Sequence, residues 1–353
     1  MASSRLIATT LLLVGSLGLA ACSGDSDTAT STSGGSAAST AAAKEVRLGY
    51  FPNVTHALPI VGDKEGLYTK HLGSTTLKVT TFNAGPAAME ALKSGAVDAT
   101  YVGPGPATNA FINSGGKAIR VVSGAATGGA ALVVDPSITS VADLKGKKVA
   151  TPQLGNTQDI ALRYYLKQQG LTTDLQGGGD VSVTPQENAQ ILDSFEQKLI
   201  AGAWVPEPYA TRLVDAGGKV LVDEHDLWKD GKFPITVLAV RPDFLEKYPG
   251  TVQALLAGQI EAETFIADQA DKAQADVGEV IKTVSGKALD PAVITKAWKN
   301  LEFTNDPVAT AMTEGAQHAV DVGILKTKPE LNGLVDLTLL NKALTAAGKE
   351  TVQ

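Results

Sequence analysis

The chain has one cysteine in 353 residues, so no disulfide can form within it, and its four histidines include no pair at metal-ligand spacing. Charged residues make up only 19% and the formal net charge is −7, which gives no basic excess for a nucleic-acid partner. Aromatic residues are scarce at 5%. After residue 21 no stretch approaches the roughly 20 consecutive apolar residues of a membrane-spanning helix. Nucleophile-elbow, Walker-type and GxGxxG sequences are missing as well. GPGPAT (103–108) has the wrong register for a phosphate loop and lacks its lysine. What the chain does have is 44% hydrophobic residues, enough for two lobes with separate cores, and 36 glycines, suited to many tight βα turns.

The first residues carry an address. Arg5 precedes a mostly apolar run, Leu6 to Leu19, and Leu19, Ala20 and Ala21 lead into Cys22. The run is short for a spanning helix and has the flanks of a signal peptide, so residues 1–21 read as one. LAAC resembles a bacterial lipobox, which implies cleavage before Cys22 and lipidation of that cysteine. The alternatives are a plain signal peptide with an incidental thiol, or an N-terminal membrane anchor. An acyl anchor holds a protein at a membrane face without spanning it. Residues 22–43 are mainly Ser, Thr, Ala and Gly, too poor in apolar surface to order themselves, and read as a tether.

The body then alternates strand and helix signals. EVRLGYF, LKVTTF and AVDATYVG read as strands, each followed by a Gly, Pro or Asn turn and a helical pattern. A second series follows in KKVATPQLGNTQ, DVSVTPQENAQ and AGAWVPEPYAT. KSGAVDATYVGPGPAT and LIAGAWVPEPYAT share a helix end, a glycine, a short strand and two prolines spaced by one residue. This pairing predicts two similar α/β lobes rather than one long sheet. The expected division is 44–128 plus 237–353 for the first lobe and 129–236 for the second. Two strands would cross between them, near 127–130 and 235–237, with Gly128 and Gly129 free to rotate as a hinge. From residue 250 the chain reads as mostly helical, with no strand partner of its own. DEHD (223–226) reads as a solvated turn.

Taken together, GYFPNVTHA, FNAGPAAMEALKSGAVD, GPGP, TPQLGNTQDIALRYYLKQQGL and WVPEPYATRL resemble the substrate-binding lipoproteins of ABC importers. The likeness is to the alkanesulfonate/nitrate/taurine type and runs from about Val46 to the C-terminus. It implies the periplasmic-binding-protein fold, two doubly wound α/β lobes joined by a two-strand hinge and closing on a small solute. It also implies ABC permease and ATPase subunits as partners, a membrane location through the lipid anchor on the outer face, and a monomer that is not an enzyme and needs no cofactor. Carried over by position, the ligand contacts are Asn53, Thr55 and His56; Gly103, Pro104 and Gly105; Asn156, Thr157 and Gln158; and Trp204 with Glu207. The family often has an aromatic residue where this chain has Pro206, which leaves Trp204 as the nearest indole, a wall beside the ligand tail.

Open α/β sheets bind ligands at the carboxyl ends of their strands, beside helix starts. The four loops named above hold no Arg or Lys, so an oxyanion would rest on backbone N–H groups, hydroxyls and amides. Hydrogen bonds to a charged group contribute roughly 1.5–3 kcal/mol each. A helix N-terminus adds about 0.3–1 kcal/mol. Three or four such bonds approach the ~8 kcal/mol of micromolar binding. Asn156, Thr157 and Gln158 either cap their helix or touch ligand, or do both. His56 is either structural or a donor, and Glu207 either pairs structurally or receives an ammonium. The expected cargo is a small anion, an aliphatic sulfonate first. Nitrate, bicarbonate, taurine or a thiamine-pyrimidine precursor are the alternatives. A pyridoxal-phosphate-dependent pyrimidine-synthesis enzyme, known from a related branch, would need a lysine that these loops lack.

Overall fold

A computed structural model describes residues 42–353. Cys22, the expected signal peptide and most of the expected tether lie outside the described residues. Among the described residues no helix is long and apolar enough to cross a membrane.

Among the described residues eleven strands form two sheets. They are β1 (Glu45–Tyr50), β2 (Thr76–Thr81), β3 (Ala99–Val102), β4 (Arg120–Gly128), β5 (Ala130–Val134) and β6 (Lys148–Thr151), then β7 (Ser182–Pro185), β8 (Gly202–Pro206), β9 (Lys219–Asp223), β10 (Pro234–Val240) and β11 (Leu301–Phe303). The first sheet has the order β11-β4-β10-β3-β1-β2 and the second β7-β6-β8-β5-β9. Each has a parallel trio, β2-β1-β3 in one and β7-β6-β8 in the other. Next to each trio lies one antiparallel strand that arrives directly from the other sheet, β10 in the first and β5 in the second. The repeated sequence pattern is thus a repeated topology. β3 and β8 occupy the same place in their sheets, with Leu48 opposite Ala99 in one and Val149 opposite Gly202 in the other.

The parallel strands are short and apolar because helices cover both faces. Val46, Leu48, Tyr101 and Val122 face one core with the helix Pro249–Asp268, while Val102, Val121 and Val237 face another with the helices Gly85–Lys93 and Pro104–Asn113. In the second sheet Leu132, Val149 and Trp204 pack on the helix Thr157–Gln168, and Val133, Ala150 and Val205 on Asn188–Glu196 and Tyr209–Asp215.

The first crossing is Gly128–Gly129, with φ of 78° and 68°, a left-handed pair that few other residues adopt. The return crossing runs from the end of β9 to Pro234, where β10 already pairs with Thr127, so the first sheet takes up the chain there rather than at 237. Two further expectations are corrected. The C-terminal region supplies β11, antiparallel to β4, because Leu301 and Phe303 pack beside the crossing while Glu302 points outward. DEHD is not a solvated turn. It is a 3-10 turn whose Glu224 is buried, accepting the indole N–H groups of Trp204 (2.7 Å) and Trp228 (3.3 Å).

Candidate ligand-binding site

Between the sheets lies a cavity of about 40 Å³. It sits at the carboxyl ends of all six parallel strands, the crevice that open α/β sheets offer to ligands. From the first lobe come Phe51, Asn53, Thr55 and His56 after β1, Asn83, Ala84 and Gly85 after β2, and Gly103 and Pro106 after β3. The second contributes Pro152, Asn156, Thr157 and Gln158 after β6, Asn188 after β7 and Pro206 at the end of β8. Ile235 of β10 completes the wall. No charged side chain is among them.

Most of these loops open a helix, so several helix N-termini point at one small volume. Thr157–Gln168 is capped by Asn156, whose side chain accepts from the Asp159 N–H at 2.8 Å. That cap satisfies one first-turn donor and leaves the Thr157 and Gln158 N–H groups without an intrahelical partner. Gly103 and Ala84 are the N-caps of Pro104–Asn113 and Gly85–Lys93, and neither makes a side-chain cap bond. Partial positive charge from several helices therefore collects at the cavity.

The polar side chains are buried with bonding capacity left over. His56 Nδ1 lies 3.1 Å from Thr55 Oγ1, its ring stacks on Phe51 with centroids 4.3 Å apart, and its Nε2 has no partner. Burial drives the His56 pKa down to about 3, so the ring is neutral at physiological pH. Asn53 Oδ1 and Asn188 Oδ1 are also unpartnered. Which amide atom is O and which is N follows from the hydrogen bonds chosen for it, so either carboxamide can turn an N–H₂ to the cavity.

The lobes touch around this point. Gly105 N–H donates to Thr157 Oγ1 (3.2 Å) and Asn109 Nδ2 to the Gly155 carbonyl (3.1 Å). Farther out, Lys167 Nζ reaches the Asp321 carbonyl (2.5 Å), Tyr164 stacks on His318, and Ile160 packs against Ala319 and Leu325. The helix Ala309–Asp321 from the C-terminal region is thus part of the contact, a role its Ala-rich sequence gave no sign of.

Of the expected contacts, Asn53, Thr55, His56, Gly103, Asn156, Thr157 and Gln158 border the cavity. Pro104 and Gly105 border a neighbouring cavity instead. Trp204 is displaced from its expected place. Strand alternation turns its ring into the second-lobe core beside Tyr165, as the equivalent Tyr101 is buried in the first lobe. Glu207 is also away from the cavity. It is buried and accepts bonds from Thr211 N–H, Thr211 Oγ1 and Asn300 Nδ2, and burial raises its pKa. Asn83–Gly85 and Asn188 border the cavity without having been among the expected contacts. Their signal was available, since NAGP and NAQ follow β2 and β7 just as the named loops follow their strands.

Behind the cavity floor a buried ion pair fixes the Asn156 loop. Asp159 accepts from Thr151 Oγ1, Gly155 N–H and Arg163 Nε, each at 2.9–3.0 Å, and Arg163 Nη1 donates to the Asp174 carbonyl. Both side chains are essentially inaccessible.

Two α/β lobes joined by exchanged strands around a cleft of helix starts define the periplasmic-binding-protein fold. Solved structures bear this out. The alkanesulfonate-binding protein SsuA of Xanthomonas axonopodis pv. citri, bound to MOPS, matches with a TM-score of 0.69 at 20% identity over 84% of this chain and 99% of that one. The periplasmic nitrate-binding protein NrtA of Synechocystis PCC 6803 matches with a TM-score of 0.73 at 18% identity over 86% and 89%. The chain belongs to the NMT1-like family, whose sequence model matches residues 39–282. The taurine-binding periplasmic protein of Escherichia coli K12 is 28% identical over 203 residues, 58% of this chain and 61% of that protein. The chain spans less than two thirds of the length of the curated relatives it matches.

Proposed function

We propose that this chain is the solute-binding component of an ABC importer and captures a small oxyanion between its lobes. The observation that carries the reading is the interlobe cavity itself, ringed by helix N-termini and neutral donors, with His56 Nε2 buried and unpartnered. An anion supplies the acceptors that such a site lacks, and neutral donors leave no ion pair to break when the lobes part. A water-sized site takes about 10–15 Å³. The 40 Å³ present therefore admits about three or four non-hydrogen atoms, the size of nitrate, bicarbonate or a sulfonate head. Short aliphatic sulfonates are the first candidates, with the tail reaching beyond the head site, and taurine, nitrate and bicarbonate are the rivals. Relatives whose names include taurine and nitrate binding support the class.

The moving bodies are taken as 44–128 with 234–353, and 129–233. In this reading Cys22 carries a lipid that holds a monomer on the extracytoplasmic face of the cell membrane, where the permease, powered by its ATPase subunits, receives the solute. The cavity wall holds no lysine, which favours a binder over a lysine-dependent enzyme. Calorimetry with methane- and ethanesulfonate, taurine, nitrate and bicarbonate tests the ligand class. Micromolar binding of at least one is expected, and heat from none removes the reading.

A further inference from the structure

A second cavity, of about 30 Å³, lies beside the first and shares Thr157 with it. Its walls are Ile160 of the second lobe, Trp228 and Phe233 of the return crossing, and Met312 and His318 of the helix Ala309–Asp321. Glu224 also faces it. That carboxylate is 1% exposed, and among the described residues its only hydrogen-bond donors are the two indole N–H groups. Among the described residues no Lys, Arg or His forms an ion pair with it, and no Lys or Arg borders the cavity.

A buried carboxylate without a counter-ion is costly. Here each oxygen keeps a lone pair after accepting one indole. The surrounding faces are aromatic, with Trp228 stacked on Phe233 (5.9 Å) and tilted on His318 (5.5 Å). Aromatic faces attract cations through the ring quadrupole. His318 does not compete as a cation, since burial lowers its pKa to about 4. Burial raises the Glu224 pKa to about 7, as a carboxylate lacking its partner should show.

We infer that this cavity binds a small primary alkylammonium ion, its charge on Glu224 and its carbon against Trp228 and Phe233. With one probe-sized site per about 10–15 Å³, the room is for two or three non-hydrogen atoms, a methyl- or ethylammonium group. Its walls come from both lobes, so the cation favours their contact. The site stands independently of the anion reading.

Titration of the chain with methylammonium chloride at pH 8, followed by tryptophan fluorescence and thermal melting, tests it. A saturable emission change and a higher melting temperature are expected, neither reproduced by potassium chloride or by tetramethylammonium, which is too large. Glu224→Gln is expected to weaken binding by tenfold or more. Because that change disturbs an indole bond, a second variant leaves Glu224 intact: Ala311 also borders the cavity, and Ala311→Leu, which fills it, should abolish the response. Absence of a saturable response in the native chain, an equal response to potassium, or an unchanged response in the folded Ala311→Leu variant would each overturn the inference.

Discussion

Gly103 sits where the lobes meet, and replacing it with alanine separates closure from stability. Its φ of −67° suits any residue, so the backbone itself is not strained. A Cβ built there would lie 2.6 Å from Thr157 Oγ1 on the opposite lobe and 3.7 Å from Thr157 Cβ. Thr157 could escape by rotating its side chain, but it would then lose the bond from Gly105 N–H. Overpacking of this kind costs about 1–3 kcal/mol. In the proposed reading the lobes part and withdraw Thr157 from Gly103, so the cost is expected to fall on closure alone. Since about 1.4 kcal/mol is tenfold in affinity, Gly103→Ala is expected to weaken anion binding roughly 5- to 150-fold. The melting temperature of the ligand-free chain should fall by much less. Calorimetry on the single variant and on Gly103→Ala/Thr157→Ala separates a lobe clash from simple blocking, because removing Oγ1 relieves only the former. Native affinity in Gly103→Ala would refute the reasoning. So would failure of the double variant to recover any of the loss.

Other outcomes follow from the same geometry. Asp159→Asn leaves the Arg163 guanidinium buried without its counter-charge and should cost about 3–5 kcal/mol in urea denaturation; Asp159→Asn/Arg163→Met should recover part of it. Asn156→Ala removes a helix cap and should cost about 1 kcal/mol, with weaker anion binding measured in parallel. His56 has a folded pKa near 3 against an ordinary 6.5, so the stability it confers is present above pH 6.5 and is lost as pH falls toward 3. Between pH 7.5 and 4.5 the native chain should therefore lose about 3 kcal/mol more than His56→Gln. Glu224 titrates with the opposite sign, gaining as pH falls from 7 toward 4.5, but it does so in both proteins and cancels from the comparison.

The loops that build the site were legible because Gly, Pro and Asn interrupt apolar runs there, and the two-lobe repeat because β3 and β8 end in the same proline spacing. Trp204 was misplaced for a reason the loop motif could not show. Pro206 borders the cavity because it ends the strand, whereas Trp204, two residues earlier on the same face, is covered by the helix Thr157–Gln168 and belongs to the core. Glu224 was misread because four polar residues in a row look solvated. Only the return path of the chain, passing over Trp204, encloses one of them. β11 was too short, at three residues, to stand out among helices. The touch between Tyr164 and His318 links residues far apart in the chain, and no local pattern encodes it.

The exchange of strands also fixes where the ends of each half lie. The whole second sheet is one uninterrupted stretch, and at its edge Ala131 pairs with Asp223, its first strand beside its last. On the other side of the crossing, Thr127 pairs with Pro234. The second half is therefore an insert whose two ends meet. Removing it would leave a gap in the first half that a short turn could bridge, so either half could be detached or regrafted without rerouting a strand.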